Sequence, residues 1–409
     1  MNLKISHPTK FLFGKVDLPA SKSISNRLLI IQQLCDQSFE IINKSTAKDT
    51  ELLSAILASD RNVVDAEDAG TTFRFLTAFY STQEGEKILT GSPRMKERPI
   101  KVLVDALREL GADISYMDQE GYPPIAIRGK QLKGGEIKID GSISSQYISA
   151  LLLIAPRLEL GLTVTLKGKI ASKPYIQMTL ELMKRMGISY LWKDNVITVP
   201  SQKYKPLSVI VEPDWSAASY FFQMAALASS SELTLNGLNK ESIQGDSIIS
   251  SLFEQFGVKV SYLKKGIKLR KEIPDNPYQQ FDYDFSDCPD LAQTFAPLVA
   301  QQGLPSIFSG IKSLKIKETD RVEALKNEIA KFGIDLLPFD EESFELKAQE
   351  FHPSTEPIET YKDHRMAMAF AGLALKQDEI IIKDAEVVKK SFPDFWNALD
   401  KIGFKVEEV

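Results

Sequence analysis

In the stretch LPASKSISNRLLIIQQL, Ser23 and Arg27 lie four residues apart, on one face of a helix marked out by Ile24, Leu28 and Ile31. Lys22 sits at the mouth of that helix, just after Pro19 ends an extended segment. A hydroxyl, two cations and the free backbone N–H groups of a helix N-terminus together make a cradle for an anion. The same residues also suit an ordinary capped helix with solvated charges, so the stretch alone leaves both readings open. The pattern then returns. DAGTTFRFLTAF sets Gly70, Thr71 and Thr72 before a helix with Arg74 in its first turn, and GSPRMKERPIKVL sets Arg94, Lys96 and Arg98 before another. DGSISSQYISALLLIA offers Ser142, Ser144, Ser145 and Gln146, and SKPYIQMTLELM offers Ser172, Lys173 and Tyr175.

The second half adds carboxylates. In SLKIKETDRVEALKNEIAKFG, Val322, Leu325, Ile329 and Phe332 share a helical face, Thr319 or Asp320 is the expected cap, and Lys317 and Glu318 lie just ahead of it. His364 and Arg365 precede one apolar helix, Lys389 and Lys390 precede another, and Asp290 opens a third, where an acidic residue is favoured in any case. The chain has no P-loop, no GxGxxG, no HExxH, no paired CxxC and no serine elbow. Many cations with a few carboxylates (Asp49, Asp290, Glu318) suit substrates rich in phosphate and carboxylate, handled by general acid–base chemistry without a cofactor or metal.

The elements that must position these groups carry a repeat. A helix ending in an apolar residue and Gly, followed by alternating apolar positions, occurs at Gly111, Gly187, Gly257, Gly333 and Gly403, at alternating intervals of 76 and 70 residues. A degraded copy is read at AILASDRNVV, with Asp60 in the glycine's place. Glycine ends a helix by adopting the left-handed conformation, after which the chain turns into a strand. Six such units divide into two sets of three, with the midpoint near Pro213 as a candidate hinge. The 409 residues, 43% hydrophobic and 26% charged, exceed one small core and favour two domains. With 50 basic and 55 acidic residues, the chain as a whole does not attract nucleic acid or anionic lipid. Cys35 and Cys288 make no disulfide framework, Ala150 to Ala155 is the longest apolar run, and the N-terminal stretch lacks a secretory core. A soluble, cytoplasmic α/β protein is expected.

The segments LPASKSISNR, DAGTTFR, LTGSPRMKERPI, GSISSQ, SKPYI, IKETDR, DHRMAMAF and KKSFPDF resemble, in order from residue 18 to 395, the EPSP synthase (3-phosphoshikimate 1-carboxyvinyltransferase) family. The resemblance implies an inside-out α/β barrel in each of two domains, built from six βαβαββ units, three per domain. One domain would hold residues 1–19 and 213–409, the other residues 20–212, and the two would close over the substrates. It further implies transfer of the enolpyruvyl group of phosphoenolpyruvate to the 5-hydroxyl of shikimate 3-phosphate, by a monomer needing no cofactor. By matching position, Lys22, Ser23, Arg27, Ser144, Ser145, Gln146, Ser172, Asp290 and Lys317 would hold shikimate 3-phosphate. Lys22, Gly70, Arg94, Gln146, Arg321, Arg365 and Lys390 would hold phosphoenolpyruvate. Asp290 would be the base for the hydroxyl and Glu318 the acid for the methylene, with Lys22 stabilising developing charge.

Two departures from the family pattern are Asp68 and Ser313, each where Asn is frequent. Lys317 and Arg321 beside Glu318 would hold it ionised, so its acid role requires the bound anions to offset those cations. The rival readings are a UDP-N-acetylglucosamine enolpyruvyl transferase, whose mobile-loop cysteine has no counterpart here, and a non-catalytic ligand-binding relative. Retention of Lys22, Asp290, Glu318, Arg365 and Lys390 argues against the second.

Overall fold

A computed structural model describes residues 1–409. The chain divides into two compact units, Met1–Ala20 with Glu212–Val409, and Ser21–Val211. Both are mixed α/β, and both are assembled from one local pattern.

The pattern is clearest in the second unit. Strand Val63–Asp65, helix Gly70–Ser81, strand Gly85–Thr90, helix Lys101–Glu109 and the pair Asp113–Tyr116 and Ile125–Gly129 follow in order. The first two strands pair in parallel, the last strand returns antiparallel to the second, and the third occupies the far edge. Gly135–Asp140, Leu162–Lys167, Leu191–Lys193 and Val196–Val199 repeat this order and register. In the first unit it recurs for Phe281–Asp284, Ser306–Ser309, Leu336–Pro338 and Phe344–Leu346. A further copy pairs Phe11–Asp17 in parallel with Ser230–Asn236, so the whole of Ser21–Val211 is inserted between its first strand and its first helix, Trp215–Leu227. The last copy of this unit joins the chain ends: Leu3–Ser6 lies between Glu379–Ile382 and Lys405–Glu408.

The sixth copy is reduced. Helices Lys22–Leu34 and Lys48–Leu57 flank the two-residue strand Ile41–Ile42, which pairs in parallel with Val209–Ile210, and no antiparallel pair completes the sheet. This accounts for the one misfit in the glycine series. Gly111, Gly187, Gly257, Gly333 and Gly403 all have positive φ, between 77° and 100°, after the second helix of their repeats. Asp60 has no positive φ, because no third strand has to be entered there.

Helices are inside and sheets outside. Trp215–Leu227, Ala292–Gln301 and His364–Ala371 are buried nearly all round, as are Gly70–Ser81 and Ser145–Ile154. Their polar side chains, such as Arg74, Thr77 and Gln223, are buried along with the apolar ones, which places each helix in an interior. The strands alternate buried and exposed positions, as in Leu162–Lys167, so each sheet turns one face to solvent. No helix is long and apolar enough to cross a membrane.

The first helices of the repeats therefore start deep in each unit, at the corner where a parallel strand ends. Asp140 and Asp284 make the same corner: each carboxylate accepts from the backbone N–H of the residue two positions on, Ser142 or Ser286. The repeated glycines differ in what surrounds them. A Cβ on Gly111 would meet nothing within 4 Å, whereas one on Gly257 would approach the Glu272 carbonyl oxygen to 2.5 Å. Gly111→Ala is thus expected to lose about 1–2 kcal/mol, the left-handed cost alone, and Gly257→Ala to lose more. Urea denaturation of the two variants checks the order.

Candidate active site

Each unit carries its own set of polar side chains at these helix starts. In unit Ser21–Val211, helix Lys22–Leu34 begins at Lys22, whose Nζ lies 3.0 Å from Asp49 Oδ2 at the start of the next helix. Arg27, further along the same helix, is buried. Its guanidinium donates to Thr179 Oγ1 at 2.7 Å, to the Ser23 carbonyl at 2.8 Å, and to Ser149 Oγ and the Tyr175 carbonyl at 3.3 Å. Burial lowers its pKa to about 10. Arg27 thus ties three helices together from within, and Ser23 meets it through its backbone.

Ser144 caps helix Ser145–Ile154 by accepting from the Gln146 N–H, and Gln146 Nε2 donates to Thr71 Oγ1 at 3.1 Å. That bond joins the starts of two first helices, because Thr71 follows Gly70, the first residue of Gly70–Ser81. A Cβ on Gly70 would come within 2.7 Å of the guanidiniums of both Arg74 and Arg98. Any side chain at position 70 would displace one of these cations. Arg74 lies one turn into the helix, further in than its sequence neighbours suggested, and donates to the Gly70 carbonyl at 3.0 Å. Arg94 is in the short helix Pro93–Lys96 and pairs with Glu97 at 2.9 Å. Asp68 accepts from the Ser92 hydroxyl, whose oxygen also caps that helix. Ser172 heads Lys173–Arg185 in the left-handed conformation, φ 54°.

In the other unit the sequence-predicted residues are brought into one cluster around Arg321, which is 2% exposed. Asp320 caps helix Arg321–Ala330 by accepting from the Val322 and Glu323 N–H groups, which aims Arg321 inward. The guanidinium then donates to three carboxylates: Asp363 at 2.6 Å, Asp290 at 2.7 Å and Glu318 at 2.9 Å. Asp290 also faces Arg365 at 2.9 Å and Lys317 at 3.5 Å, and Lys390 stands 3.9 Å from Glu318. Arg365 reaches Tyr220 Oη at 3.2 Å. Burial works to raise the pKa of Asp290, but Arg365, Lys317 and Arg321 together overcome it and hold the carboxyl far below its ordinary range. For Arg321, burial works to lower the pKa and is outweighed by Asp363, Glu318 and Asp290, so it remains charged. Removing one member of such a buried cluster typically costs about 3–5 kcal/mol, because its partners are left uncompensated.

Two residues enter this cluster that the sequence reading did not single out. Asp363 is fully buried and caps helix His364–Ala371 through the Arg365 N–H. Its place before His364 and Arg365, at an N-cap position, was the available signal. Asp246 accepts from the Ser216 hydroxyl and feels both Arg365 and Asp290, and burial raises its pKa to about 6. Nothing in IQGDS marks it. No three His, Cys, Asp or Glu side chains are grouped as a metal set.

The fold and these charged clusters define a class. A solved structure of EPSP synthase from Acinetobacter baumannii shares the fold with a TM-score of 0.79 at 20% identity, each chain covered completely. The profile of the EPSP synthase (3-phosphoshikimate 1-carboxyvinyltransferase) family matches residues 53–399. A 3-phosphoshikimate 1-carboxyvinyltransferase from Bacteroides fragilis is 46% identical over 409 residues, covering 100% of this chain and 99% of its own. One from Haemophilus influenzae is 36% identical, covering 97% and 98%. The chain belongs to the EPSP synthase family.

The raised pKa of Asp246 has a consequence for stability. Its folded value, about 6, lies above the ordinary 3.8, so ionisation favours the unfolded state. The penalty is absent at low pH, accrues between about pH 4 and pH 6, and is constant above that. Asp246→Asn is expected to be more stable than the unsubstituted chain at pH 8, by about 1–3 kcal/mol, and to match it at pH 4. Denaturation at the two pH values checks this.

Proposed function

We propose that these side chains carry out the family's reaction in the following roles. The enolpyruvyl group of phosphoenolpyruvate moves to the 5-hydroxyl of shikimate 3-phosphate, and phosphate is released. Lys22, Ser23, Arg27, Ser144, Ser145, Gln146 and Ser172 receive shikimate 3-phosphate, with Asp290 and Lys317 on its ring hydroxyls. Lys22, Gly70, Arg94, Gln146, Arg321, Arg365 and Lys390 receive phosphoenolpyruvate. The observation that carries the reading is the bridging position of Asp290, which faces Arg321, Arg365 and Lys317 at once.

In addition, the ring hydroxyl oxygen attacks the central carbon of the enol, its proton passes to Asp290, and Glu318 protonates the methylene. In elimination, the new methyl group returns a proton to Glu318 as the carbon–oxygen bond to phosphate breaks, and Asp290 gives its proton to the leaving phosphate. Lys22, beside Asp49, stabilises the charge that develops on the departing group.

Without ligand, Asp290 is a poor base, because three cations hold it so firmly ionised. A phosphate or carboxylate bound to Arg365 and Arg321 takes up part of that positive charge and strengthens Asp290 as a proton acceptor. The same exchange frees Glu318, whose partners are Arg321 and Lys390. Acid and base are thereby made competent by the ligand they act on.

Phosphate release from phosphoenolpyruvate tests the reading: it is expected with shikimate 3-phosphate and absent without it. Release with UDP-N-acetylglucosamine instead would overturn the choice of substrate. Glu318→Gln is expected to lower kcat by about 100-fold or more while leaving the KM values within a few-fold. Equal losses in both would remove Glu318 from the acid role.

A further inference from the structure

Helix Arg321–Ala330 reaches the segment before His364 at both of its ends. At its N-terminal end Arg321 holds Asp363. Near its C-terminal end lies Glu328, a carboxylate 1% exposed that the reaction does not use. One oxygen of Glu328 accepts from the Tyr361 hydroxyl at 2.8 Å, and the other accepts from the Glu359 N–H at 3.0 Å and from Lys331 Nζ at 2.5 Å. Lys331 offsets the charge of this buried carboxylate, whose two other bonds both go to the segment before His364.

That segment forms a turn. The Asp363 N–H bonds to the Thr360 carbonyl at 2.8 Å, closing four residues whose two central members, Tyr361 and Lys362, have φ of 53° and 57°. Two consecutive positive φ values are the mark of the primed turns that normally take Gly, Asn or Asp. Tyrosine and lysine hold that conformation only where the surroundings impose it. The next residue is Asp363, whose two oxygens serve Arg321 and the Arg365 N–H. The direction in which the chain leaves the turn therefore decides whether Asp363 meets Arg321 and whether Arg365 faces Asp290.

We propose that Glu328 and Tyr361 form a brace that holds this strained turn, and are positioning residues for the Asp363–Arg321–Arg365 cluster. The inference rests on the assignment of Arg321 and Arg365 to phosphoenolpyruvate. The brace acts at one remove: neither residue touches the cluster, and both set the backbone that carries it.

Tyr361→Phe removes the hydroxyl and little else. It is expected to raise the KM for phosphoenolpyruvate about 10- to 100-fold, with the KM for shikimate 3-phosphate within about threefold of its original value. Lys362→Gly relieves one left-handed residue. By itself it should leave activity unchanged, and combined with Tyr361→Phe it should restore most of the lost affinity. Glu328→Gln, which leaves one acceptor oxygen in place of two and removes the charge that faces Lys331, should fall between. A crystal structure of Tyr361→Phe should show the turn relaxed and Asp363 moved from Arg321. An unchanged phosphoenolpyruvate KM with a superposable turn would overturn the brace. So would a uniform loss that follows a lowered Tm and is not recovered by Lys362→Gly. If the unsubstituted chain releases no phosphate from its substrates, the transferase reading falls on its own, and the turn in the Tyr361→Phe structure still decides the brace.

Discussion

A guanidinium out of water is tolerable only when its donors are satisfied and its charge is matched, and Arg321 meets that condition through three carboxylates from three segments. Much of the unit Met1–Ala20 with Glu212–Val409 can be understood from this one requirement. Asp320 must cap the helix so that Arg321 points inward, Asp363 must arrive from a strained turn, and Asp290 must sit at the corner before helix Ala292–Gln301. Each segment begins a helix of the repeat. The duplication therefore provides equivalent corners, and the unequal residues placed on them provide the chemistry.

The parts of the fold that could be read from sequence are those set by local conformation. Five glycines recur because every complete repeat must end its second helix in the left-handed conformation before a third strand. The reduced repeat has no such strand, and its Asp60 has no such conformation. Some helix starts were legible for a similar reason, as at Ser144 and Asp320, whereas Gly70–Ser81 and Ala292–Gln301 begin without a side-chain cap. The strand order was not legible. Parallel pairing of Phe11–Asp17 with Ser230–Asn236 joins residues separated by the whole of the other unit.

The site divides along the same line. Residues at helix mouths, such as Lys22, Asp290 and Arg365, could be singled out as candidates from their place. What each one faces could not be read there. Arg27 carries the same sequence signal as an exposed cation, yet Thr179, Ser149 and two backbone carbonyls surround it. Asp246 enters through the short 3-10 helix Gly245–Ile248, whose sequence has no pattern, and only the packing of Ser216 and the field of Arg365 give it significance. Tyr361 and Lys362 are a third kind. Their residue types argue against the left-handed turn they adopt, so a local rule read from sequence points the wrong way where tertiary bonds from Glu328 override it.

In the roles proposed for Asp290 and Glu318, the reacting acids double as counterions, and this has an energetic side. A cluster of cations intended for phosphate and carboxylate would repel itself if left unmatched, and Asp290 and Glu318 remove that repulsion. The ligand must then compete with internal anions, which weakens its ground-state binding. In the proposed roles, the interactions it displaces are those that hold the acid and base in unreactive form, so the lost affinity would reappear as reactivity. A mutation that deleted an internal carboxylate to tighten phosphoenolpyruvate binding would, in those roles, remove the proton carrier with it. On that proposal affinity and turnover are coupled through the same side chains, and binding energy that is withheld from the resting complex remains for the transition state.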